Sequence, residues 1–267
     1  LTLRAVPMGG PEVTMPLLNS GEIQFSLASA DVSSLAAAGK TVFEGNPHPD
    51  IRLVGHLVSF EAGWMVREDS DIMTIADLRG KRLGWGMTQQ KILEYWGRAQ
   101  LATADIGEAD FTPVNSTSAP NAVQDFMAGR SDAVIFTVGS GLTSQAHAAV
   151  GGIRLLPLPE RDDRLDVITN IVPGTLIRQV KPHERRPGVM KEQPMMGSTL
   201  VLLASKHTDP EIVAAVAEAF YTVRDEFIAI HPAFNRMNLK TLAGSVTNLE
   251  MHEGAAGYYK ANGITGE

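Results

Sequence analysis

Short apolar runs alternate with longer amphipathic stretches along most of the chain, and this pattern predicts strands that are followed by helices. The apolar runs predict strands over residues 1–6, 23–28, 51–58, 64–67, 82–85, 111–114, 132–136, 153–158, 176–180 and 200–204. Helices are predicted over 12–19, 89–101, 119–127, 142–150 and about 210–230. One more helix is predicted to begin at Asp31 as its N-cap and to end just before Gly39. The small and polar residues at 59–63 predict a break between two of the strands.

Strands that alternate with helices favour a mostly parallel sheet with helices on both faces. Residues 17–28 and 123–136 share one pattern, in which a helix end, a glycine, polar residues and a buried strand precede a small-residue loop. A repeated unit of this kind indicates two such sheets, one in each of two lobes. We therefore predict an α/β fold of two lobes with a ligand cleft between them.

The loops that follow the strands are the candidate binding region, because ligands of open α/β sheets bind outside the carboxyl ends of strands. Those ends are 29–31, 59–61, 85–90 and 137–140, which carry small or amide side chains. In the third loop, Gly84 and Gly86 form a corner that leads to a helix expected to begin near Thr88. Backbone N–H groups at such a helix start suit a carboxylate. An ordinary tight strand–helix turn remains an alternative for this corner.

Composition narrows the classes of function. The chain has 267 residues, enough for two lobes, and no cysteine, which excludes thiol catalysis, thiolate metal sites and disulfides. Its formal net charge of −7 provides no broad basic face for nucleic acid or anionic lipid. No apolar run approaches the ~18 residues of a membrane-spanning helix. We expect no signal peptide in the given sequence, since Leu1 opens a predicted strand, and the interpretation as a mature exported protein whose signal peptide has been removed stays open.

Signatures of catalysis are missing from the motifs. Val138 stands where a Gly-x-Ser-x-Gly nucleophile elbow around Ser140 requires glycine. His252 and Glu253 are not followed by a second histidine at the zinc-binding spacing. The basic run at 178–191 is most simply a solvated surface. We therefore expect no enzymatic activity, no metal and no cofactor.

Four segments together carry a resemblance to a known family. They are 18–28 (LNSGEIQFSLA), 65–82 with its Asp-Leu-Arg-Gly-Lys turn, 129–133 (GRSDA), and a tail that joins His-Glu-Gly-Ala at 252–255 to Tyr-Tyr-Lys-Ala-Asn-Gly at 258–263. In their order and spacing these segments resemble the TAXI family of TRAP transporter solute receptors, which are periplasmic binding proteins of a type II-like fold.

The resemblance implies a receptor with residues 1–62 and 195–267 in lobe 1 and 63–194 in lobe 2. Such a receptor captures a small carboxylated solute, an amino acid or a dicarboxylate such as glutamate or 2-oxoglutarate, by hinge closure. It then delivers the solute to the membrane subunits of a TRAP permease. We expect a periplasmic or extracytoplasmic monomer that binds no nucleic acid. The expected ligand-binding residues are Ala30, Asp31, Ser59 and Phe60 on one side and Met87, Thr88, Gln89, Gln90, Thr137, Gly139 and Ser140 on the other.

Departures from the family pattern bear mainly on the ligand. The family's first Gly-rich strand–helix unit is not found in this sequence, Met-Thr-Gln-Gln at 87–90 replaces its Gly-Ser, and Glu253 replaces the tail proline. Two alternatives stay open. One is an enzyme on the same scaffold that acts on a small organic acid, and the other is a ligand-sensing module without transport.

Overall fold

The computed structural model describes residues 2–8, 10–230 and 232–266. The strands are β1 Phe25–Ser29, β2 Ile51–Arg67, β3 Arg82–Trp85, β4 Thr112–Asn115, β5 Ala133–Thr137, β6 Ile153–Leu155, β7 Leu176–Val180 and β8 Gln193–Ser205. The helices are α1 Pro11–Ser20, α2 Ala30–Ala38, α3 Lys91–Ala102, α4 Ala119–Met127, α5 Gly141–Ala149, α6 Arg164–Ile171, α7 Pro210–Thr222, α8 Arg224–Ile230 and α9 Glu253–Ala261.

The chain divides into two compact units. Unit 1 contains residues 1–59 and 198–267, and unit 2 contains residues 60–197. The boundaries expected from the sequence were at 62/63 and 194/195. Two long strands, β2 and β8, pass from one unit to the other and are the covalent links between them.

Unit 2 is built on a sheet with the strand order β2-β5-β3-β4. The strand β3 pairs parallel with β4 and β5, whereas β5 and β6 both pair antiparallel with β2. The helix α3 lies close against the sheet because Gly97 leaves room for the indole rings, and a Cβ there would lie 3.1 Å from Trp85. The rings of Trp64 and Trp85 are parallel beneath it, with centroids 6.4 Å apart. These contacts fix the carboxyl ends of three parallel strands at one edge.

Unit 1 pairs β1 antiparallel with β8, in a register that runs from Phe25 opposite Ala204 to Ser29 opposite Leu200. The helices α7 and α9 pack together over its core. Tyr259 ties α9 to the sheet, since its hydroxyl donates to the Val54 carbonyl at 2.9 Å. Burial raises the pKa of Tyr259, so this hydroxyl stays protonated as a donor.

The structure corrects the expected strand pattern in three places. The first strand was predicted over residues 1–6. Residues 2–6 instead have no regular secondary structure, are exposed and pair with no described strand, and Leu1 lies outside the described residues. The break expected at 59–63 is absent, because β2 is continuous from Ile51 to Arg67, and its pairing with β5 begins within this stretch, where Ala62 lies opposite Thr137. The sheet is also mixed rather than mostly parallel.

The helices differ from the expectation mainly at their starts. Ser29, not Asp31, is the N-cap of α2, and α3 begins at Lys91, three residues after Thr88. The segment 210–230 forms two helices that are separated at Val223. The helix α6 was not predicted, since its surroundings are rich in charge and proline. Propensity places a helix well, but tertiary contacts decide its first turn.

Candidate functional site

Three loops follow the parallel strands at one edge of unit 2, and each leads directly into a helix. Residues 86–90 join β3 to α3, residues 116–118 join β4 to α4, and residues 138–140 join β5 to α5. Because β3 runs parallel to both β4 and β5, the three helix starts lie along the same sheet edge. We call these three loops the carboxyl-edge loops of unit 2.

The first two carboxyl-edge loops are braced against each other by hydrogen bonds. The Thr117 carbonyl accepts the Gln89 N–H at 3.1 Å and the Thr88 hydroxyl at 3.2 Å. Gly86 has a left-handed backbone with φ of +70°, and a Cβ there would lie only 2.7 Å from the Asn115 Oδ1. Glycine at this corner therefore permits both the turn and the close approach of the second loop.

The third loop is organised by hydroxyl groups. Thr143 Oγ1 donates to the Thr137 carbonyl at 2.7 Å, so the Ser140 hydroxyl is the donor in its own 2.8 Å contact with Thr143 Oγ1. Ser140 Oγ also accepts the Thr143 N–H at 3.2 Å and thereby caps α5. Gly139 is exposed and has a left-handed backbone with φ of +70°. A Cβ on Gly139 would lie only 2.6 Å from the Arg185 carbonyl oxygen.

The three helix starts differ in how their N–H groups are satisfied. In α4, the Ala119 N–H donates to Gln90 Oε1 at 2.9 Å and the Asn121 N–H to Ser118 Oγ at 3.3 Å. Side chains therefore already cap α4, and Ser140 caps α5 in the same way. Among the described residues, no side chain caps α3, whose N-cap residue is Gln90. The first turn of α3 is thus the start that has N–H groups to offer an anion.

Glu94 is the acidic group closest in sequence to this uncapped start. Burial raises the pKa of Glu94, and the opposing effects of Arg98 and of a hydrogen bond from the Met87 backbone are smaller. A raised pKa reduces the negative charge that Glu94 carries in mildly acidic solution. The Met87 backbone contact also shows how tightly the corner is packed against α3.

Unit 1 has its own strand end followed by a helix start, where β1 runs directly into α2. Asp31 is fully buried in the first turn of α2, and the Ser198 hydroxyl donates to its Oδ1 at 2.7 Å. A carboxylate at this position complements the positive end of the helix dipole. Ser33 Oγ donates back to the Ser29 carbonyl at 2.8 Å, which closes the first turn.

The expected ligand-binding residues occupy unequal positions. Thr88, Gln89 and Gly139 are exposed, and Gln90, Thr137 and Ser140 are half-buried, all on the carboxyl-edge loops or the strand end beside them. Met87 is fully buried in the core, so its side chain is not available to a solute in this conformation. In β2, Phe60 stacks on Trp96 with ring centroids 5.7 Å apart, and Ser59 lies next to it in the same strand. Ala30 and Asp31 are both buried in α2.

Sequence reasoning missed the second loop, Ser116 to Ser118, which supplies most of the bracing contacts. A signal was available, because Ser118 precedes Ala119 and Pro120 in the order typical of a helix N-cap followed by proline in the first turn. The Ser116 hydroxyl also donates to Asp125, which in turn pairs with Arg130. These contacts make the loop a rigid neighbour of the Gly86 corner.

Within 2–8, 10–230 and 232–266, no three His, Cys, Asp or Glu side chains come close enough together to hold a metal ion. None of the helices in the described part of the chain combines the length and the apolar character needed to cross a bilayer.

A family and several solved structures resemble this chain. The NMT1-like family matches residues 1–263. The Xanthomonas citri protein XAC2383, bound to chloride ion, is 12% identical with a TM-score of 0.51, and the match covers 94% of this chain and 82% of that one. For the Escherichia coli periplasmic aliphatic sulphonate binding protein SsuA, the identity is 15% and the TM-score 0.47, with 95% and 75% covered.

The alkanesulfonate-binding protein SsuA from Xanthomonas axonopodis pv. citri, bound to MOPS, is 19% identical with a TM-score of 0.43. The match covers 84% of this chain and 64% of that protein, so this chain spans less than two thirds of its length. The likeness to XAC2383, whose TM-score exceeds 0.5, concerns the fold alone, which is the two-lobed α/β fold of periplasmic binding proteins with helices flanking a mixed sheet. The narrower resemblance to TAXI receptors continues to rest on the sequence motifs.

Proposed function

We propose that this chain, which belongs to the NMT1-like family, is an extracytoplasmic receptor that binds a small carboxylated solute at the carboxyl-edge loops of unit 2. The solute is an amino acid or a dicarboxylate, such as glutamate or 2-oxoglutarate. The receptor hands it unchanged to a membrane permease. The resemblance of the tail and of the Asp-Leu-Arg-Gly-Lys turn to TAXI receptors supports a permease of the TRAP class.

The observation that carries this proposal is the uncapped start of α3 beside two braced loops. Its first N–H groups have no side-chain cap, whereas Gln90 and Ser118 cap α4 and Ser140 caps α5. An anion near Gln89 would meet these N–H groups and the positive end of a helix of 12 residues. The bracing of Thr88 and Gln89 by Thr117 holds the main chain in place before the solute arrives.

A charge placed at the same spot tests the proposal. Gln89 is exposed just before α3, so Gln89→Glu adds a carboxylate where the solute's own carboxylate is proposed to bind. A negative charge at a helix start stabilises the helix, so the thermal stability of unit 2 should not fall. Solute affinity should fall roughly tenfold or more, since like charges repel at close range and the substitution removes the side-chain N–H donors of Gln89.

The measurement is isothermal titration of amino acids and dicarboxylates into both proteins, with product analysis of each mixture. Gln145→Glu is the matched control, because it places the same charge on the exposed surface of α5 in the same unit. Equal losses of affinity in both variants would count against a site at α3. Failure of every carboxylate to bind the wild-type protein, or its conversion to a product, would refute the receptor proposal itself.

A further inference from the structure

A second candidate site lies in unit 2 outside the loops 86–90 and 116–118. A cavity of about 550 Å³ opens between one face of α5 and the segment 182–189, which leads from β7 towards β8. Its volume falls within the ~300–1,000 Å³ typical of small-molecule sites. Ser144 and His147 line it from α5, and His183, Glu184 and Arg186 line it from the segment.

The segment that forms the outer wall is fixed to the sheet. The Gly188 carbonyl accepts the Leu155 N–H at 2.8 Å, which adds the segment to the β6 edge. Gly188 has φ of +87°, and a Cβ there would lie 3.0 Å from the Ile153 side chain. Val189 is buried next to this anchor. Glycine at 188 therefore allows this wall of the cavity to approach β6 closely.

Both histidines present a hydrogen-bond donor because of how their other ring nitrogen is used. His147 Nδ1 accepts the Ile153 N–H at 3.2 Å, and His183 Nδ1 accepts the Arg185 N–H at 3.0 Å. A neutral imidazole that accepts at Nδ1 carries its hydrogen at Nε2. Among the described residues, neither Nε2–H donates to a protein group. Each histidine therefore has one N–H to offer a ligand.

Arg186 adds a charged donor with spare capacity. One of its terminal nitrogens donates to the Lys181 carbonyl at 3.2 Å, and the guanidinium forms no ion pair with any carboxylate in the described chain. The neighbouring Lys181 is different, since it is paired with Glu192 at 3.9 Å. Glu184 is the acidic residue on the cavity wall, so two neutral donors and one cation face a single carboxylate.

From this arrangement we propose that the cavity between α5 and the 182–189 segment binds a phosphate group, free or as a small phosphate monoester. Three donor side chains around one space match the several oxygens of a tetrahedral oxyanion better than the two oxygens of a carboxylate. Arg186 supplies the charge-assisted bonds, and the histidine Nε2–H groups orient the remaining oxygens. This site does not depend on the proposed receptor function.

The test uses the unmodified protein and one pair of neighbouring arginine variants. Inorganic phosphate and glycerol 3-phosphate are titrated while the imidazole nitrogen resonances are followed by NMR. We expect the His147 and His183 resonances to shift with phosphate, whereas that of the exposed His207 in unit 1 should not. If glycerol 3-phosphate binds more tightly than inorganic phosphate, the rest of the cavity binds the organic part of the ester.

Arg186→Gln should weaken phosphate binding roughly tenfold or more, because a charged hydrogen bond is lost. Arg185→Gln removes the same charge from a neighbour that does not line the cavity, and it should change the affinity little. Glu184→Gln should tighten binding a few-fold, since it removes the opposing charge. Equal losses in the two arginine variants, or histidine resonances that do not respond to either phosphate compound, would overturn the proposal.

Discussion

Thr88 shows what a single hydroxyl does at this edge of the sheet. The sequence predicted a helix start near Thr88 and a ligand-binding role for this residue, but α3 begins three residues later and the hydroxyl donates to the Thr117 carbonyl at 3.2 Å. Thr88 therefore positions one loop against another. That partner lies 29 residues away in the chain, so no local pattern around Thr88 could have identified it.

The corner glycine was predicted from the sequence, and its surroundings explain why glycine is needed there. Gly84 and Gly86 marked a strand–helix corner, and Gly86 does adopt a left-handed backbone. What the sequence could not provide was the neighbour, Asn115, whose side chain occupies the space of a potential Cβ. A positive φ can be inferred from residue type, but a contact between two strands depends on the tertiary fold.

Replacing this glycine should be costly. In Gly86→Ala, the left-handed backbone costs about 1–2 kcal/mol, and the new Cβ would lie 2.7 Å from Asn115 Oδ1. Overpacking of that kind adds about 1–3 kcal/mol to the loss in free energy of unfolding. Urea unfolding followed by tryptophan fluorescence measures it, and it reports on unit 2 because Trp64, Trp85 and Trp96 all lie there.

Gly80→Ala is the matched control for this substitution. Gly80 has φ of +75°, but no atom in the described part of the chain lies within 4 Å of its potential Cβ, so only backbone strain is added. The difference between the two variants then measures the contact with Asn115. Adding Asn115→Ala to Gly86→Ala should recover part of that difference. Equal destabilisation by the two substitutions would show that the contact between residue 86 and Asn115 does not contribute to the free energy of unfolding.

At the scale of elements, the sequence predicted most of the helices and strands, but it did not predict where most of them begin and end. The helix 119–127 was predicted with the bounds it has, and the structure shows that an N-cap serine, a first-turn proline and a buried apolar face all support those bounds. The strand β2 was predicted as two, because Ser59, Glu61 and Gly63 resemble a loop. Contacts with β5 and the residue after it begin inside this stretch, since the Val138 N–H donates to the Glu61 carbonyl and Ala62 pairs with Thr137, and such pairing is not encoded locally.

The tail helix α9 depends on a buried histidine. His252 is its N-cap, with Nδ1 accepting the Gly254 N–H at 3.2 Å. Burial lowers the pKa of His252 below its usual value, and the opposing effect of Glu253 is smaller. The native state therefore resists protonation, whereas the unfolded chain takes up a proton near pH 6.5. The stabilisation is complete above about pH 6.5 and is lost as the pH falls towards the lower native pKa.

Removing the titrating group should flatten this pH dependence. Asparagine also caps helices well, so His252→Asn keeps an acceptor for the first turn but cannot be protonated. Its overall stability should be lower, because imidazole contacts are lost, yet α9 should lose less protection on going from about pH 7.5 to 5.5. Hydrogen exchange of the α9 amides, corrected for intrinsic rates, provides the measurement.

The exposed His183 offers a control, since His183→Asn removes an imidazole from unit 2 and should leave α9 unchanged. Some pH dependence should remain in His252→Asn, because burial also lowers the pKa of His48 and His56 in unit 1. A wild-type slope in His252→Asn would mean that the buried histidine cap does not control the acid response of this helix.

At the scale of the whole molecule, the two-lobed α/β plan was predictable because it follows from the order of elements. Each stretch of strand, loop and helix is a local pattern, and its repetition along the chain indicated two lobes. The mixed character of the sheet was not predictable, since the crossing strands β2 and β8 run antiparallel to partners far away in sequence. The solute of the proposed receptor is harder still to predict, because loop side chains rather than the fold determine which ligand binds.

The two strand crossings lead to a prediction about motion. The boundary between units passes between Ser59 and Phe60 in β2 and between Gly197 and Ser198 in β8. Within unit 2 these crossings are neighbours, because a Cβ on Gly197 would lie 3.1 Å from the Phe60 carbonyl. Two adjacent extended strands bend more readily than a packed core, and hinges of this kind absorb domain closure.

If the chain works as a receptor, the solute should bring the units together and make the molecule more compact. Small-angle scattering should then give a smaller radius of gyration at saturating solute than without it. Gln89→Glu, which is expected to bind poorly, should keep the larger value at the same solute concentration, and Gln145→Glu should become compact like the wild type. A scattering profile that does not change while titration shows full occupancy would rule out closure about these strands. In that case unit 2 would bind the solute alone, without closure of unit 1.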